Sequence, residues 1–420
     1  MSSMSVLIRE AGFAIRDRAF LLWIAVILCF SAVSVWTGMA EVEYQRDTIE
    51  RLVEIDRQDR YAEFTKQKDW GSAAYYSFHF TYDPPSDFAF AAMGQRDSTA
   101  WKHRLRMLAL EGQIYEHDAG NPELALIGRF DFVFLAAFVL PVVFIFLLHD
   151  LRASERVAGR YDLLVATAGC DRSLWWTRVF LRSGGIFFAA IIPLIIAGLL
   201  SGVELTKLYI AIVMILAYLT FWTLICMWFA SWKRSASVIL ACLIGVWVLL
   251  STIIPAGGRA LIDQVVQIPS GADILMTQRE AVNDAWDLPK EDTMQPFLAR
   301  HPEWANTPKI DGPWDWKWYY AFQQVGDQKA EGLSLAYSTG RIERDRMAGL
   351  LALAAPPALL ERSLQRLADT DVSAVLDYEN EVRAFHSELR SFYYPGLFGD
   401  KPFEKSAVEN LPVFGVEEPN

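Results

Sequence analysis

The sequence predicts a mainly α protein: a polytopic helical membrane domain of about five spans, carrying two mostly helical extracytoplasmic regions. Three observations carry this. Five apolar stretches are long enough to cross a bilayer, basic charge stays beside them while acidic charge collects away from them, and the charged blocks repeat their apolar residues at helical spacing. With 53% hydrophobic residues and a mean hydropathy of +0.19, the 420-residue chain is too apolar for ordinary soluble domains. Its 21% of charged residues is too many for spans alone, so membrane and aqueous parts must alternate.

Residues 1–40 hold an N-terminal amphipathic segment and the first span, Phe20 to Met39. Arg9, Arg16 and Arg18 precede it, and Gly38-Met39-Ala40 ends in small residues, a pattern shared with cleaved signal peptides. Its apolar run is longer than a signal peptide's, which favours a retained anchor. Residues 41–128 form the first extracytoplasmic region. It opens on a charged helical pattern from Glu41 to Lys68, with Val42, Ile49, Leu52, Val53, Tyr61 and Phe64 on one face, read as a stalk continuing span one. Tyr82 to Asp87 breaks the pattern, a second helix is expected from Trp101 to Tyr115, and Gly120-Asn121-Pro122 makes a turn.

Residues 129–256 hold spans two to five: Phe132 to Leu148, Ser183 to Leu200, Leu208 to Ala230 and Ser237 to Ile254. Pro141 and Pro193 fall inside spans two and three, where neighbouring helices can satisfy the freed backbone groups. Residues 257–420 form the second extracytoplasmic region, long enough for a core of its own. Its first part reads as loop-rich and aromatic, including Trp314 to Tyr320, which suits core, a membrane-interface belt, or a carbohydrate or lipid platform. Helical patterns return over Arg341–Leu367 and Val372–Phe392, and an irregular tail is expected from Tyr394-Pro395-Gly396. The apolar run Met347 to Leu360 is too short for a sixth span and contains Pro356-Pro357.

Charge sets the orientation. The connection between spans two and three carries Arg152, Arg156, Arg160, Arg172 and Arg178, with Arg182 at its edge, and the link between spans four and five carries Lys233 and Arg234. The positive-inside rule places both in the cytoplasm, with the N-terminus inside and the C-terminus outside. The net charge of −11 argues against nucleic-acid binding, because a phosphate-binding surface needs a basic excess. Cys29, Cys170, Cys226 and Cys242 all lie outside the two acidic blocks, so these fold without disulfides.

Catalytic chemistry finds no support. There is no phosphate-cradling G-x-x-x-x-G-K-[ST], no H-E-x-x-H, no G-x-S-x-G and no G-x-G-x-x-G, and the six histidines lack metal-ligand spacing. A non-catalytic membrane subunit is expected, with no metal or cofactor on this chain. Asp131 at the outer edge of span two and Arg182 at the inner edge of span three are membrane-edge charges that can reach water. The informative segment is the cytoplasmic loop 149–178, which reads as a short amphipathic helix, a glycine break and a second helix leading into span three. Spacing alone leaves a rigid elbow moved by an external motor and a solvated basic loop equally open.

At this loop the sequence resembles the permease subunits of type-2 ABC transporters. The matching residues are the acidic-basic pair Glu155-Arg156, then Gly159, Arg160, Leu163-Leu164 and Arg172. In that family the element is a coupling helix that docks on the ATPase. Ile8-Arg9-Glu10 and Ile15-Arg16-Asp17-Arg18 resemble the family's elbow helix before span one. The stretch Asn121 to Phe132, Pro84-Pro85-Ser86, Gly94 to Asp97 and Phe392 to Pro395 resemble a bacterial subgroup with a large insertion between spans one and two. The resemblance implies an inner-membrane permease, an exporter by type, powered by a separate cytoplasmic ABC ATPase that carries ATP and Mg. It also implies a second permease subunit, as homo- or heterodimer. Type-2 permeases normally have six spans and five are found here, so a partner could supply the sixth. The alternative is a mechanotransmission or scaffolding subunit coupling the ATPase to an extracytoplasmic protein.

Overall fold

The computed structural model describes residues 3–116, 130–168, 170–310 and 312–415. Among these the protein is mainly helical, and five helices are long and apolar enough to cross a membrane. Helix α1 (Ser3–Arg16) ends where the Asp17 side chain caps the next helix by accepting from the backbone N–H of Ala19 and Phe20. Helix α2 (Arg18–Lys66) then runs unbroken for 49 residues, about 70 Å at 1.5 Å per residue. Span one and the stalk are therefore one rod.

The second span, α5 (132–148), contains a π-helical turn at Leu135–Val139 just before Pro141. Proline lacks the N–H that would bond the Ala137 carbonyl, and the Tyr218 hydroxyl donates to that carbonyl at 2.5 Å instead. Helices α6 (Ala153–Val157) and α7 (Tyr161–Ala168) form the loop, with the left-handed Gly159 (φ +67°) between them. Spans three to five are α8 (Asp171–Leu200), α9 (Leu205–Ala230) and α10 (Ala236–Val265), the last with a π turn at Leu249–Ile253 before Pro255. Span two is central, 67% buried over its most apolar stretch, and α2, α8, α9 and α10 pack around it. Span five is peripheral at 11%.

The two charged blocks do not fold separately. α3 (Trp70–Tyr76), the antiparallel pair β1 (His79–Tyr82) and β2 (Lys102–Leu105), and α4 (Leu110–Tyr115) interleave with α11 (Gly271–Asp284), α12 (Lys290–Arg300), α13 (Trp316–Ala352), α14 (Pro356–Leu367) and α15 (Val372–Leu397). Phe64, Ala73 and Met107 share one core with Phe297, Trp318, Tyr320, Phe322 and Tyr393. This far body sits at the end of the bundle opposite the arginine-rich loop, and it meets the spans at several places, the crossing of α13 with the end of span five among them. Phe88–Met93 are wholly buried against α2, where Gly38 permits an approach that would put a Cβ 2.0 Å from the Phe90 carbonyl oxygen. α14 lies across α9 and the π turns of spans two and five, with Leu360 and Leu364 buried among the span residues.

Four local expectations are corrected. Trp101–Tyr115 is not one helix, because Lys102–Leu105 pairs with His79–Tyr82 and buries His103 and Leu105 alternately. The first part of the second block is helical rather than loop-rich: α11 starts with a reciprocal Ser270–Asp273 capping box, and the aromatic run from Trp316 on forms the start of α13, with Asp315 as its cap, where burial outweighs weak propensity. The pattern Arg341–Leu367 breaks at Leu353–Ala355, since a residue before proline avoids the helical region and Pro356 suits a first turn. Tyr394-Pro395-Gly396 continues α15 to Leu397, held by Trp70, whose ring a Cβ on Gly396 would meet at 2.3 Å. The expected turn Gly120-Asn121-Pro122 and most of the Asn121–Phe132 motif lie outside the described residues.

Candidate functional site

The loop end of the bundle gathers most of the sequence-predicted site residues. α1 packs one face against the bundle. Val6 and Glu10 are buried against the bundle, while Met4, Ile8, Phe13 and Ile15 point outward, the arrangement of a helix lying at a membrane surface. Glu10 accepts from Arg9 at 3.0 Å through one carboxylate oxygen and from Arg178 of α8 at 2.7 Å through the other. Arg178 also donates to Glu155 of α6 at 3.1 Å, and Glu155 accepts from Arg160 at 3.1 Å. One ladder of alternating charge, Arg9–Glu10–Arg178–Glu155–Arg160, thus ties elbow, span three and loop together.

Two neighbouring contacts lock the same corner. Arg182 donates to the Leu147 carbonyl at 3.0 Å and to Asp17 at 3.4 Å, joining spans two and three to the elbow junction. The Tyr161 ring stacks on Trp175 at 5.8 Å and its hydroxyl donates to Asp171 at 2.9 Å, which pins α7 against the start of α8. Arg152 and Arg178 each place a guanidinium over the Trp175 ring. A cleft of about 370 Å³ lies beside the ladder, lined among others by Phe13, Asp17, Arg160 and Leu164.

The ladder turns Glu155 inward, and Arg156 is engaged with the Trp232 carbonyl at 3.3 Å and with the Tyr161 ring. What projects from the loop is Val157, 87% exposed, Gly159, Arg160 and Leu163, 67% exposed, while Leu164 packs toward the spans. Arg16, Arg18 and Arg172 are exposed around this end. A second cleft, about 570 Å³, runs between Val157, Gly159 and Asp162 on one side and Lys233, Arg234 and Ser235 of the span four to five link on the other.

Asp131 lies at the opposite end, apart from this site. It caps span two by accepting from Phe134 N–H at 2.8 Å and accepts from Met93 N–H at 3.2 Å. Burial pushes its carboxyl up to about 6. Burial and the Asp131 charge push Glu361 of α14 up to about 7. Sequence reasoning missed the roles of Arg178 and Trp175, because Glu10 and Arg178 stand 168 residues apart and no local pattern links them. Among the described residues no three His, Cys, Asp or Glu side chains gather as metal ligands.

Comparison with known proteins adds one finding. Residues 273–417, about a third of the chain and wholly within its second charged block, match a family described as a domain of unknown function, DUF3526. No curated protein and no solved structure matches the chain.

Proposed function

We propose that this chain is the non-catalytic membrane subunit of an ATP-driven ABC assembly in a bacterial inner membrane. Its arginine-rich end faces the cytoplasm and its far body stands outside. A separate ATPase, which carries the ATP and Mg, docks on the projecting residues from Val157 to Leu163, and a second permease chain completes the pathway, most simply for export. The observation that supports this best is the ladder from Arg9 to Arg160. It ties elbow, loop and span three into one lever, while the apolar tips Val157 and Leu163 stay exposed among the described residues. Exposed apolar side chains on a rigid basic mount suit a protein partner.

A second use of the same motor is favoured by α2 and α14. A rod of 49 residues passing from the membrane into the far body, and a helix resting on two π turns, suit transmission of movement to an extracytoplasmic protein. The substitutions Val157→Asp and Leu163→Asp test the docking. Both sites are exposed, so unfolding should shift by less than about 0.5 kcal/mol. The ATPase should be lost when the tagged chain is purified in mild detergent from its native host. If the ATPase co-purifies undiminished with the double variant, the docking assignment is wrong. ATPase stimulation by a small or lipidic solute would select transport, and stimulation by an extracytoplasmic protein would select transmission.

A further inference from the structure

A third cleft, unused by the ATPase reading, opens where α10 leaves the spans. Pro255 to Asp263 of α10, the latter half of α13 and the start of α14 enclose about 620 Å³, within the ordinary range of small-ligand sites. α10 and α13 cross closely here, since a Cβ on Gly258 would fall 2.0 Å from Leu351. The floor is apolar, with Ile262, Ala348, Leu351 and Ala358, and the walls carry Arg259, Arg341, Arg344 and Arg362 against Asp263 and Asp345.

The charge of these walls runs against their surroundings. Residues 257–420 hold 16 basic and 26 acidic side chains, yet here the arginines outnumber their carboxylates. Asp263 is shared by Arg344 at 3.0 Å and Arg259 at 3.8 Å, and Asp345 is shared by Arg362 at 2.7 Å and Arg366 at 3.0 Å. Arg341 pairs with Glu379 at 3.2 Å. The Arg259 side chain is 87% exposed, so most of its five N–H donors remain available. Guanidinium groups in excess of carboxylates are the donor set for a phosphate or a comparable oxyanion.

Depth and rim narrow the ligand further. From Ala236 to Ile254 the helix rises about 28 Å, close to the hydrocarbon thickness of a bilayer, which sets Arg259 at headgroup level. Around the cleft Ile253, Leu261, Val265, Leu350 and Leu353 are exposed. A soluble anion has no use for this apolar rim, whereas a molecule with an anionic head and hydrocarbon chains meets both features. We propose that the cleft between α10, α13 and α14 binds an anionic phospholipid of the adjoining leaflet. The headgroup phosphate sits on Arg259 and Arg344, and the chains leave over Leu350 and Leu353. This site does not depend on the ATPase reading.

The full chain, purified in mild detergent and exchanged into nanodiscs of equal phosphatidylglycerol and phosphatidylcholine, is examined by native mass spectrometry after release. The expected result is retention of phosphatidylglycerol in roughly tenfold preference, worth about 1.4 kcal/mol. Arg259→Glu should bring the two lipids to parity, and Ala348→Trp, which fills the floor, should remove bound lipid. Arg259→Glu lies on an exposed side chain and decides the matter alone if the tryptophan variant unfolds. Equal retention of both lipids by the unaltered chain overturns the proposal, as does a preference that survives Arg259→Glu. Displacement of the lipid by millimolar inorganic phosphate would make this a soluble-anion site and would equally overturn it.

Discussion

The two ends of this molecule use the same residue types for opposite purposes. In the far body, ion pairs are sunk between elements and capped by backbone groups. Asp327 of α13 accepts from Leu110 N–H at 2.7 Å and Glu111 N–H at 3.1 Å while pairing with Arg390 of α15 at 2.5 Å. Glu111 in turn holds Arg383 at 2.9 Å and Ser334 at 2.8 Å, so α4, α13 and α15 are bound through one network. At the loop end the ladder from Arg9 to Arg160 lies along a surface cleft, and large apolar residues project beyond it. Charge tied to backbone N–H groups of a neighbouring element specifies one arrangement, whereas a ladder made only between side chains, bordered by a cleft and by projecting apolar residues, leaves a face that a partner can meet.

The sharpest way to break this contrast is to remove one partner at each end. Asp327→Ala leaves the Arg390 charge buried and two backbone N–H groups without their acceptor. The far body should lose about 3–5 kcal/mol, read as an earlier tryptophan fluorescence transition in denaturant. Glu10→Ala at the other end should cost less, about 1.5–3 kcal/mol, because it strips no backbone N–H group of its acceptor and leaves Arg178 its bond to Glu155. Its effect should be confined to faster amide exchange in α1 and α6, with the far body unchanged. Equal and global losses from both substitutions would show that the two ends fold as one cooperative unit.

A smaller effect comes from pH, and it separates the far body from its seat on the spans. His79 is buried with no hydrogen-bond partner for either ring nitrogen among the described residues. Burial and the Arg60 charge hold it down at about 3, and burial holds His386 well below its ordinary value. Both stay neutral in the fold, so the unfolded chain takes up protons first and stability falls as pH drops below about 6.5. Glu361 and Asp131 act in the other direction. Their raised values mean that the fold keeps protons the unfolded chain has released, so the α14 seat tightens as pH falls from about 7 toward 4. His79→Phe should flatten the acid loss and leave stability at pH 7 unchanged or higher by up to about 1 kcal/mol. Thermal unfolding between pH 4.5 and 7.5 checks it, and an acid loss as steep as before would remove His79 from the account.

Much of the fold was legible because its signals are local. The spans follow from apolar length, whereas the helical spacing of Arg341–Leu367 hid the break that Pro356 makes between α13 and α14. The loop's two helices follow from Gly159, whose left-handed backbone costs an L side chain about 1–2 kcal/mol. The β1–β2 pair was not legible: four residues per strand, alternating in burial only in β2, are too few to stand out from a helical pattern, and their partner across the hairpin lies some 20 residues away. Trp314 to Tyr320 was ambiguous for a related reason, since aromatic residues suit core and interface alike, and only the packing of Trp318, Tyr320 and Phe322 against Phe64 and Tyr393 placed them in a core.

The sequence by itself determined what one or two helical turns can encode: how many stretches are apolar enough to cross a membrane, where Gly159 breaks the loop into two helices, and where the basic charge collects. The tertiary structure alone decided which distant charges meet. Glu10 reaches Arg178, Asp327 reaches both α4 and Arg390, and two acidic blocks separated by four spans close around common cores. The physical reason is range. Propensity, capping and periodicity act within a few residues, whereas a long-range pair depends on the path of the chain and on how much apolar surface each closure removes from water.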